Sequence, residues 1–182
     1  MNLPSHGKYE WLPLLNSIVK DFEPKKIIEF GPGRGQTTIS MALALKVDIL
    51  LINLIWLMDL GDIQDCLNGF KEWNVSDLID LQKVDFYNWI KLPIEDREFD
   101  ILYFDIDNNG DKLLDLYNAV KHNINSGSVV LFEGGSLERD NHGVGGRKMN
   151  DVKNEVGYKV LTDNVKYSFS IIYNENLYNM EF

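Results

Sequence analysis

Near the beginning of this 182-residue chain, a short apolar strand pattern runs directly into a glycine-rich turn and then into a helix pattern. Residues 26–30 are mainly apolar and contain Glu29, residues 31–35 read Gly-Pro-Gly-Arg-Gly, and residues 37–45 have a helical composition. Glycine accepts positive φ and lets a ligand approach the backbone closely, while the start of a helix offers unpaired amide donors. The segment therefore predicts a turn that binds a small ligand between a strand and a helix.

Strand and helix patterns alternate along the rest of the chain. Apolar residues recur at helical spacing in 11–22, 63–70 and 113–124. Strand patterns occupy 47–54, 79–84, 99–105 and 129–132, and a hairpin-like pair follows at 158–161 and 167–173. This order is typical of a mostly parallel sheet with helices on both faces. No linker or repeat interrupts it, so we expect one domain over 1–182, with an N-terminal helix in 1–24 and a core at 25–173.

Composition narrows the classes of partner. The net charge is −10 and the basic residues are scattered, so we expect no nucleic-acid partner, because binding to phosphates needs a basic patch. The longest apolar stretch, 47–60, contains Asp48, Asn53 and Asp59, so we expect no membrane-spanning segment. The single cysteine, Cys66, excludes an intrachain disulfide and agrees with a cytoplasmic location.

The spacing of the glycines narrows the choice of ligand. A dinucleotide-binding fingerprint needs a glycine at its sixth position, which is Gln36 when the count begins at Gly31. A P-loop ends in Gly-Lys-Ser or Gly-Lys-Thr, and the turn contains neither. What remains is the pattern acid-x-Gly-x-Gly-x-Gly, in which Glu29 supplies the acid.

The run from Glu29 to Gly35 resembles the first motif of class I S-adenosylmethionine-dependent methyltransferases. The resemblance implies an α/β, Rossmann-like methyltransferase fold, with a mostly parallel seven-stranded sheet, an antiparallel last strand and helices on both faces. It also implies S-adenosylmethionine as the cofactor, with its methionine and ribose parts against the turn. The residues that would bind it there are Glu29, Gly31, Pro32, Gly33, Gly35 and Thr37.

Two later positions extend the expected cofactor site by the same resemblance. The family usually has an acid at the end of the second strand to bind the ribose, and the matching position here is near Asn53, with no acid before Asp59. After the third strand, the resemblance places Asp85 and Phe86 beside the adenine. From the residues alone, Asp85 is equally well explained as an ordinary aspartate at the end of a strand.

Acidic residues follow the fourth and fifth strand patterns. Asp105 and Asp107 end the segment 99–107 and Glu133 ends the next strand, so all three are expected at the carboxyl edge of the sheet, where ligands bind. Residues two apart on an extended segment point the same way. These carboxylates predict either a site for a hard cation such as Mg²⁺ or a general base for the acceptor. In the alternative interpretation, Asp105 and Asp107 cap a helix and line the cofactor edge.

This half of the chain resembles the metal-dependent small-molecule O-methyltransferases of the macrocin and catechol types. That resemblance implies Mg²⁺ bound by Asp105, Asp107 and Glu133, although Gly134 follows Glu133 where a second ligand is expected. The glycine-rich loop 134–147 is expected to cover the acceptor. It contains His142, a candidate base in addition to Asp107 and Glu133.

Together these features predict methyl transfer from S-adenosylmethionine to an oxygen or nitrogen of a small-molecule acceptor. Two alternatives stay open: a non-catalytic module that binds S-adenosylmethionine or a nucleotide, and an aminopropyltransferase-like enzyme on the same fold. Few residues precede the first strand. The acceptor is therefore expected to meet the N-terminal helix and the loop 134–147, or a site completed by a homo-oligomer.

Overall fold

The computed structural model describes residues 11–45, 52–56, 60–141, 146–162 and 168–177, with the backbone alone for 52–56 and 60–62. The strands are β1 (Ile27–Phe30), β2 (Ile52–Trp56), β3 (Ile79–Lys83), β4 (Ile101–Phe104), β5 (Val129–Glu133), β6 (Lys159–Thr162) and β7 (Phe169–Ile172). They form one seven-stranded sheet in the order β3-β2-β1-β4-β5-β7-β6. Among these described strands, β7 runs antiparallel to both of its neighbours, β5 and β6, and the other neighbouring pairs are parallel. The predicted α/β fold with a mixed, mainly parallel sheet is confirmed.

Helices fill the connections between the parallel strands. They are α1 (Leu12–Phe22), α2 (Gln36–Ala44), α3 (Leu60–Glu72), α4 (Phe86–Trp89), α5 (Gly110–Asn125), α6 (Leu137–Asp140) and α7 (Lys153–Val156). Short 3₁₀ helices occupy Ser76–Leu78, Ile94–Arg97 and Met149–Val152. In the part of the chain that the structure describes, no helix has the length and apolar character needed to cross a membrane.

Two hydrophobic cores lie on opposite faces of the sheet, because consecutive strand residues point to opposite sides. In β1, Ile27 belongs to one core while Ile28 and Phe30 belong to the other. Helices α1, α2 and α3 contribute to the first core, and α4, α5 and α7 contribute to the second. Because helices cover both faces of the sheet, a ligand can approach the sheet at the ends of its strands.

The position of the second strand differs from the prediction. The apolar run suggested a strand over 47–54, whereas β2 occupies Ile52–Trp56 and residues 46–51 lie outside the described part of the chain. A continuous apolar run shows that a buried strand is present but carries no period that fixes where the strand ends. The carboxyl end of β2 therefore lies two residues later than expected.

Candidate cofactor site

The site is built where the strand order changes direction. After β1 the chain adds β2 and β3 on one side of the sheet, then returns to place β4 on the other side of β1. The amide of Asp105, the first residue after β4, donates to the carbonyl of Phe30 at 2.9 Å, so the loops after β1 and β4 leave the sheet side by side. In open α/β sheets, ligands bind in the crevice formed at such a point.

A side chain would meet different surroundings at each of the three glycines of the turn. A Cβ on Gly31 would lie 2.2 Å from the carbonyl oxygen of Asp105, and one on Gly35 would lie 2.8 Å from the ring of Phe70. Gly33 has a φ of +53°, and a Cβ there would meet nothing within 4 Å. Gly31 and Gly35 therefore allow close packing within the protein, whereas Gly33 faces open space that a ligand can occupy.

Pro32 and Gly35 close the turn through a backbone hydrogen bond. The amide of Gly35 donates to the carbonyl oxygen of Pro32 at 2.7 Å, and Pro32 itself is buried. Pro32 thus supports the turn from inside the protein. The predicted contact of Pro32 with the cofactor stays a prediction.

Glu29 connects the end of β1 to the first turn of α2. Its carboxylate is buried and accepts hydrogen bonds from the hydroxyls of Thr37 and Thr38, the second of them at 2.6 Å. Burial raises the pKa of Glu29 to about 7, and the two threonine hydroxyls oppose that rise. Glu29 and Thr37 therefore shape the turn from below. A cofactor contact by either residue stays a prediction.

Cys66 supports the turn from α3. The thiol is buried and lies 3.0 Å from the carbonyl oxygen of Gly33, to which it donates. A peptide unit is planar and trans, so the amide hydrogen of Arg34 points to the opposite side, away from Cys66. This role was not predictable from the residue pattern, because Cys66 has the spacing of an ordinary core residue of a helix.

The structure corrects the predicted position of Asn53. Asn53 is level with Ile28 of β1 and Asp80 of β3, whereas the last residue of β1, Phe30, is level with Ile55. The predicted position of Asn53 at the carboxyl end of β2 is therefore wrong, and its contact with the cofactor's ribose stays a prediction. The acid that follows β2 in the sequence is Asp59, which lies outside the described residues.

Asp85 and Phe86 begin α4 after β3. Asp85 is exposed, and its carboxylate caps the helix by accepting from the amide of Asn88 at 3.0 Å. The ring of Phe86 is buried and packs edge to face against Phe30, with the ring centres 5.7 Å apart. The side chain of Phe86, which the resemblance placed beside the adenine, is therefore part of the core, and a cofactor contact by this residue stays a prediction. A contact by Asp85 stays a prediction.

Asp105 lies among charged groups that come from three strand ends. Burial raises the pKa of Asp105 to about 8, with further contributions from the negative charges of Glu133 and Glu29, while Arg139 acts in the opposite direction. The carboxyl edge therefore brings Asp105 together with Glu133, which the sequence also placed there, and with Glu29, which it did not. Asp105 can exchange a proton close to neutral pH.

Glu133 is held in place by two neighbours. Its side chain is 5% exposed and accepts from Nε of Arg139 at 2.8 Å, and from Nη2 of the same residue at 3.4 Å. Nδ2 of Asn108 donates to the second carboxylate oxygen at 2.7 Å. Three hydrogen bonds thus occupy most of the lone pairs of Glu133, and its predicted role as a base stays a prediction. The sequence pattern did not predict that Arg139 and Asn108 hold it.

Asp107 faces a different partner. Its carboxylate forms an ion pair with Nζ of Lys112, 2.9 Å away on α5. Among the residues that the structure describes, no three His, Cys, Asp or Glu side chains are grouped so that they hold a metal ion. The predicted Mg²⁺ site at Asp105, Asp107 and Glu133 is therefore not supported. A catalytic role for Asp107 stays a prediction.

The first half of the loop 134–147 is fixed to the sheet. The carbonyl of Gly134 accepts from the hydroxyl of Ser170 at 2.7 Å, and that of Gly135 accepts from the hydroxyl of Tyr158 at 2.8 Å. The side-chain amide of Asn150 also donates to Gly135 at 3.0 Å. His142, the candidate base, lies outside the described residues. These hydrogen bonds therefore fix the start of the segment that carries α6 at the carboxyl edge of the sheet.

Comparisons with known proteins agree with this fold. No protein-family model matches the chain, and no curated protein matches it. An O-methyltransferase involved in tomaymycin synthesis, from Streptomyces achromogenes and in complex with SAM, has a TM-score of 0.66 and 14% identity, over 93% of this chain and 82% of that one. A Bacillus cereus O-methyltransferase in complex with SAH has a TM-score of 0.66 and 16% identity, over 95% and 85%. A SAH-bound methyltransferase from Podospora anserina has a TM-score of 0.66 and 13% identity, over 92% and 79%.

The sheet order, the turn after β1 and these neighbours define a class I methyltransferase-like fold. SAM is S-adenosylmethionine. SAH is S-adenosylhomocysteine, the product that remains after SAM has lost its methyl group. At identities of 13–16%, the similarity establishes the architecture of the chain. One fold can carry several activities, and the residues of the site determine which one this chain has.

Proposed function

We propose that this chain transfers the methyl group of S-adenosylmethionine to an oxygen or nitrogen of a small-molecule acceptor. The observation that carries the proposal is the open side of Gly33, at the switch point of the sheet, next to Asp105. Solved neighbours of the same fold bind SAM or SAH. A small acceptor agrees with the net charge of −10 and the scattered basic residues, which suit an anionic macromolecule poorly.

The chain offers a backbone surface for the cofactor. The unoccupied space beside Gly33 lets a ligand lie against the turn, and the amide of Arg34 points away from α3. Asp59 is the proposed ribose-binding acid, because it is the acidic residue that follows β2 in the sequence. Asp85 is the proposed partner of the adenine. When bound, the cofactor supplies an electrophilic methyl group on a positively charged sulfur.

The remaining task of the protein is to align the acceptor and remove its proton. Asp105 is the proposed proton acceptor, because its pKa of about 8 lets it take up and release a proton near neutral pH. Its position after β4 places it directly beside the turn, since its amide is bonded to Phe30. Asp107 and His142 are the alternatives for this role.

A second candidate function is cofactor binding without methyl transfer. It is favoured by the ion pairs at the carboxyl edge, because Glu133 is paired with Arg139 and Asp107 with Lys112. Each of these carboxylates already accepts a hydrogen bond from its cation, so fewer of its lone pairs are left for the proton of an acceptor. In this alternative, the edge is a structural network and Asp105 receives no proton from an acceptor.

Two measurements on the same preparations distinguish the candidates. Calorimetry with S-adenosylhomocysteine measures binding, and transfer of a labelled methyl group to a panel of phenols, carboxylic acids and amines measures turnover. Methyl transfer that falls strongly in Asp105→Asn, with binding retained, supports the proposal. Binding without turnover on any acceptor supports the binding module, and transfer from decarboxylated S-adenosylmethionine to an amine supports the aminopropyl alternative. Gly33→Val is the binding-deficient control.

A further inference from the structure

Three acidic residues, Glu29, Asp105 and Glu133, lie close together at the carboxyl edge of the sheet. Glu29 and Glu133 are buried, and both raise the pKa of the neighbouring Asp105 through their negative charges. Like charges that share a poorly solvated site repel one another, and proteins usually relieve this by protonation or with a cation. We therefore expect a cation to lie next to these carboxylates.

The chain supplies that charge itself. The guanidinium of Arg139 contacts both carboxylate oxygens of Glu133, from Nε at 2.8 Å and from Nη2 at 3.4 Å. It also acts on Asp105 in the direction that favours the ionised carboxylate. Paired N–H donors on one carboxylate are the stronger, directional form of ion pair. Asn108 completes the set by donating to Glu133 at 2.7 Å.

Arg139 is held in position through the backbone on both sides. Its amide donates to the hydroxyl of Ser136, which caps α6, at 3.1 Å. The next residue, Asp140, is buried and accepts from the amides of Met149 at 3.3 Å and Asn150 at 2.9 Å. The side chain of Arg139 is only 21% exposed. The guanidinium is thus fixed by the fold and is not a mobile surface group that happens to meet a carboxylate.

We propose that the guanidinium of Arg139 is the resident cation of this edge and takes the place of a divalent metal ion. Glu133 already accepts three hydrogen bonds, so a metal ion that used both of its oxygens would have to displace a donor, and one bound through a single oxygen would lie beside the positive charge of Arg139. The inference rests on the proposed function in one respect, since it takes this edge as the place where the acceptor binds. It follows that methyl transfer by this chain proceeds without a divalent ion.

The test is a titration with Mn²⁺, followed by electron paramagnetic resonance, on the full chain in the presence of S-adenosylhomocysteine. Wild type is expected to bind no stoichiometric Mn²⁺ at concentrations on the order of 1 mM. Arg139→Gln uncovers Glu133 and Asp105 and is expected to bind Mn²⁺ at least about tenfold more tightly. A second change in the same chain, Glu133→Gln, should abolish that gain.

Arg147→Gln is the matched control. Arg147 is also paired with two carboxylates, Glu155 at 2.8 Å and Asp111 at 3.8 Å, but its side chain is half-buried and both carboxylates are exposed. The substitution changes the charge of the chain by the same amount and uncovers two acids on the surface. Its Mn²⁺ affinity should equal that of wild type, which separates the effect of the buried edge from the effect of net charge.

Two results would overturn the inference: one Mn²⁺ bound by wild type and lost in Glu133→Gln, or an unchanged Mn²⁺ affinity in Arg139→Gln. If Arg139→Gln does not fold, the wild-type titration decides together with methyl transfer measured in a chelator. No bound Mn²⁺ and undiminished transfer support the inference, and transfer abolished by the chelator overturns it. The titration needs no acceptor, so its outcome is independent of whether methyl transfer is observed.

Discussion

The thiol of Cys66 lies 3.0 Å from the carbonyl oxygen of Gly33, and this hydrogen bond joins α3 to the turn that is proposed to bind the cofactor. The same sulfur lies 3.4 Å from the position that a Cβ on Gly35 would occupy. Cys66 therefore packs against one glycine of the turn and orients the carbonyl of another. The orientation of that peptide also directs the amide of Arg34 away from α3.

Cys66→Ala is expected to weaken S-adenosylhomocysteine binding, because the carbonyl of Gly33 loses its donor and the peptide can rotate. The lost hydrogen bond and the small cavity together cost about 1–2 kcal/mol of stability. Cys66→Ser keeps a hydroxyl donor and should restore most of the affinity. Calorimetry on both variants is the measurement. Equal affinities for wild type and Cys66→Ala would show that the thiol has no part in positioning the turn.

Alanine at Gly31 should mainly reduce stability, whereas alanine at Gly33 should mainly reduce cofactor binding. Gly31→Ala places a methyl group against the carbonyl of Asp105, so we expect a loss of about 3 kcal/mol or more in the free energy of unfolding. Gly33→Ala meets no neighbour and carries only the cost of a left-handed backbone, about 1 kcal/mol. Its affinity for S-adenosylhomocysteine should nevertheless fall. Thermal unfolding and calorimetry separate these effects, and a stable Gly31→Ala variant would contradict the packing argument.

Stability should fall as pH rises toward 8. The pKa of Glu29 is about 7 in the folded chain and lower in the unfolded chain, so the folded state holds the extra proton between those values. Raising the pH removes that proton and costs up to about 3 kcal/mol for Glu29. The raised pKa of Asp105 acts with the same sign, up to about pH 8.

Glu29→Gln is the control for this pH dependence. Glutamine has no proton to lose, so the decline in stability between about pH 5 and pH 8 should become shallower. The amide can still hydrogen-bond to Thr37 and Thr38 because hydroxyls both donate and accept. Urea unfolding at several pH values is the measurement. Parallel curves for wild type and Glu29→Gln would show that Glu29 does not carry the effect.

Substitutions at Asp85 distinguish its capping role from its proposed cofactor role. Asp85→Ala removes the acceptor for the amide of Asn88 and should cost about 1 kcal/mol of stability. Asp85→Asn keeps a capping oxygen, so stability should stay near that of wild type. If the carboxylate also binds the adenine amino group, Asp85→Asn should bind S-adenosylhomocysteine several-fold more weakly. Unchanged affinity in both variants would leave Asp85 with the capping role alone.

The backbone of the site was predictable from the sequence because local signals specify it. A strand that ends at Glu29 and continues into closely spaced glycines needs a tight turn, and acids at strand ends reach one edge of a parallel sheet. The proximity of Asp105 and Glu133 followed from that rule and is present in the structure. These inferences required only the order of strands and the period of their residues.

The partners of the acidic side chains were not predictable in the same way. Arg139 reaches Glu133 because the chain after β5 folds so that Nε of Arg139, on α6, lies 2.8 Å from the carboxylate, and a single sequence does not specify that path. The error at Asn53 has a related cause, since a continuous apolar run leaves the end of a buried strand undefined. In both cases, the residue type suggested a role, but whether the residue can have that role depends on its position in the folded chain.

A crystal structure of the full chain grown with saturating S-adenosylhomocysteine tests whether a methyl-donor cofactor binds at the crevice between β1 and β4. We predict the ligand against the backbone of Gly33, with its sulfur on the side of Asp105, and no ligand in the crevice of Gly33→Val. A ligand bound elsewhere on the sheet, or no ligand in wild type at saturation, would show that this crevice is not the cofactor site.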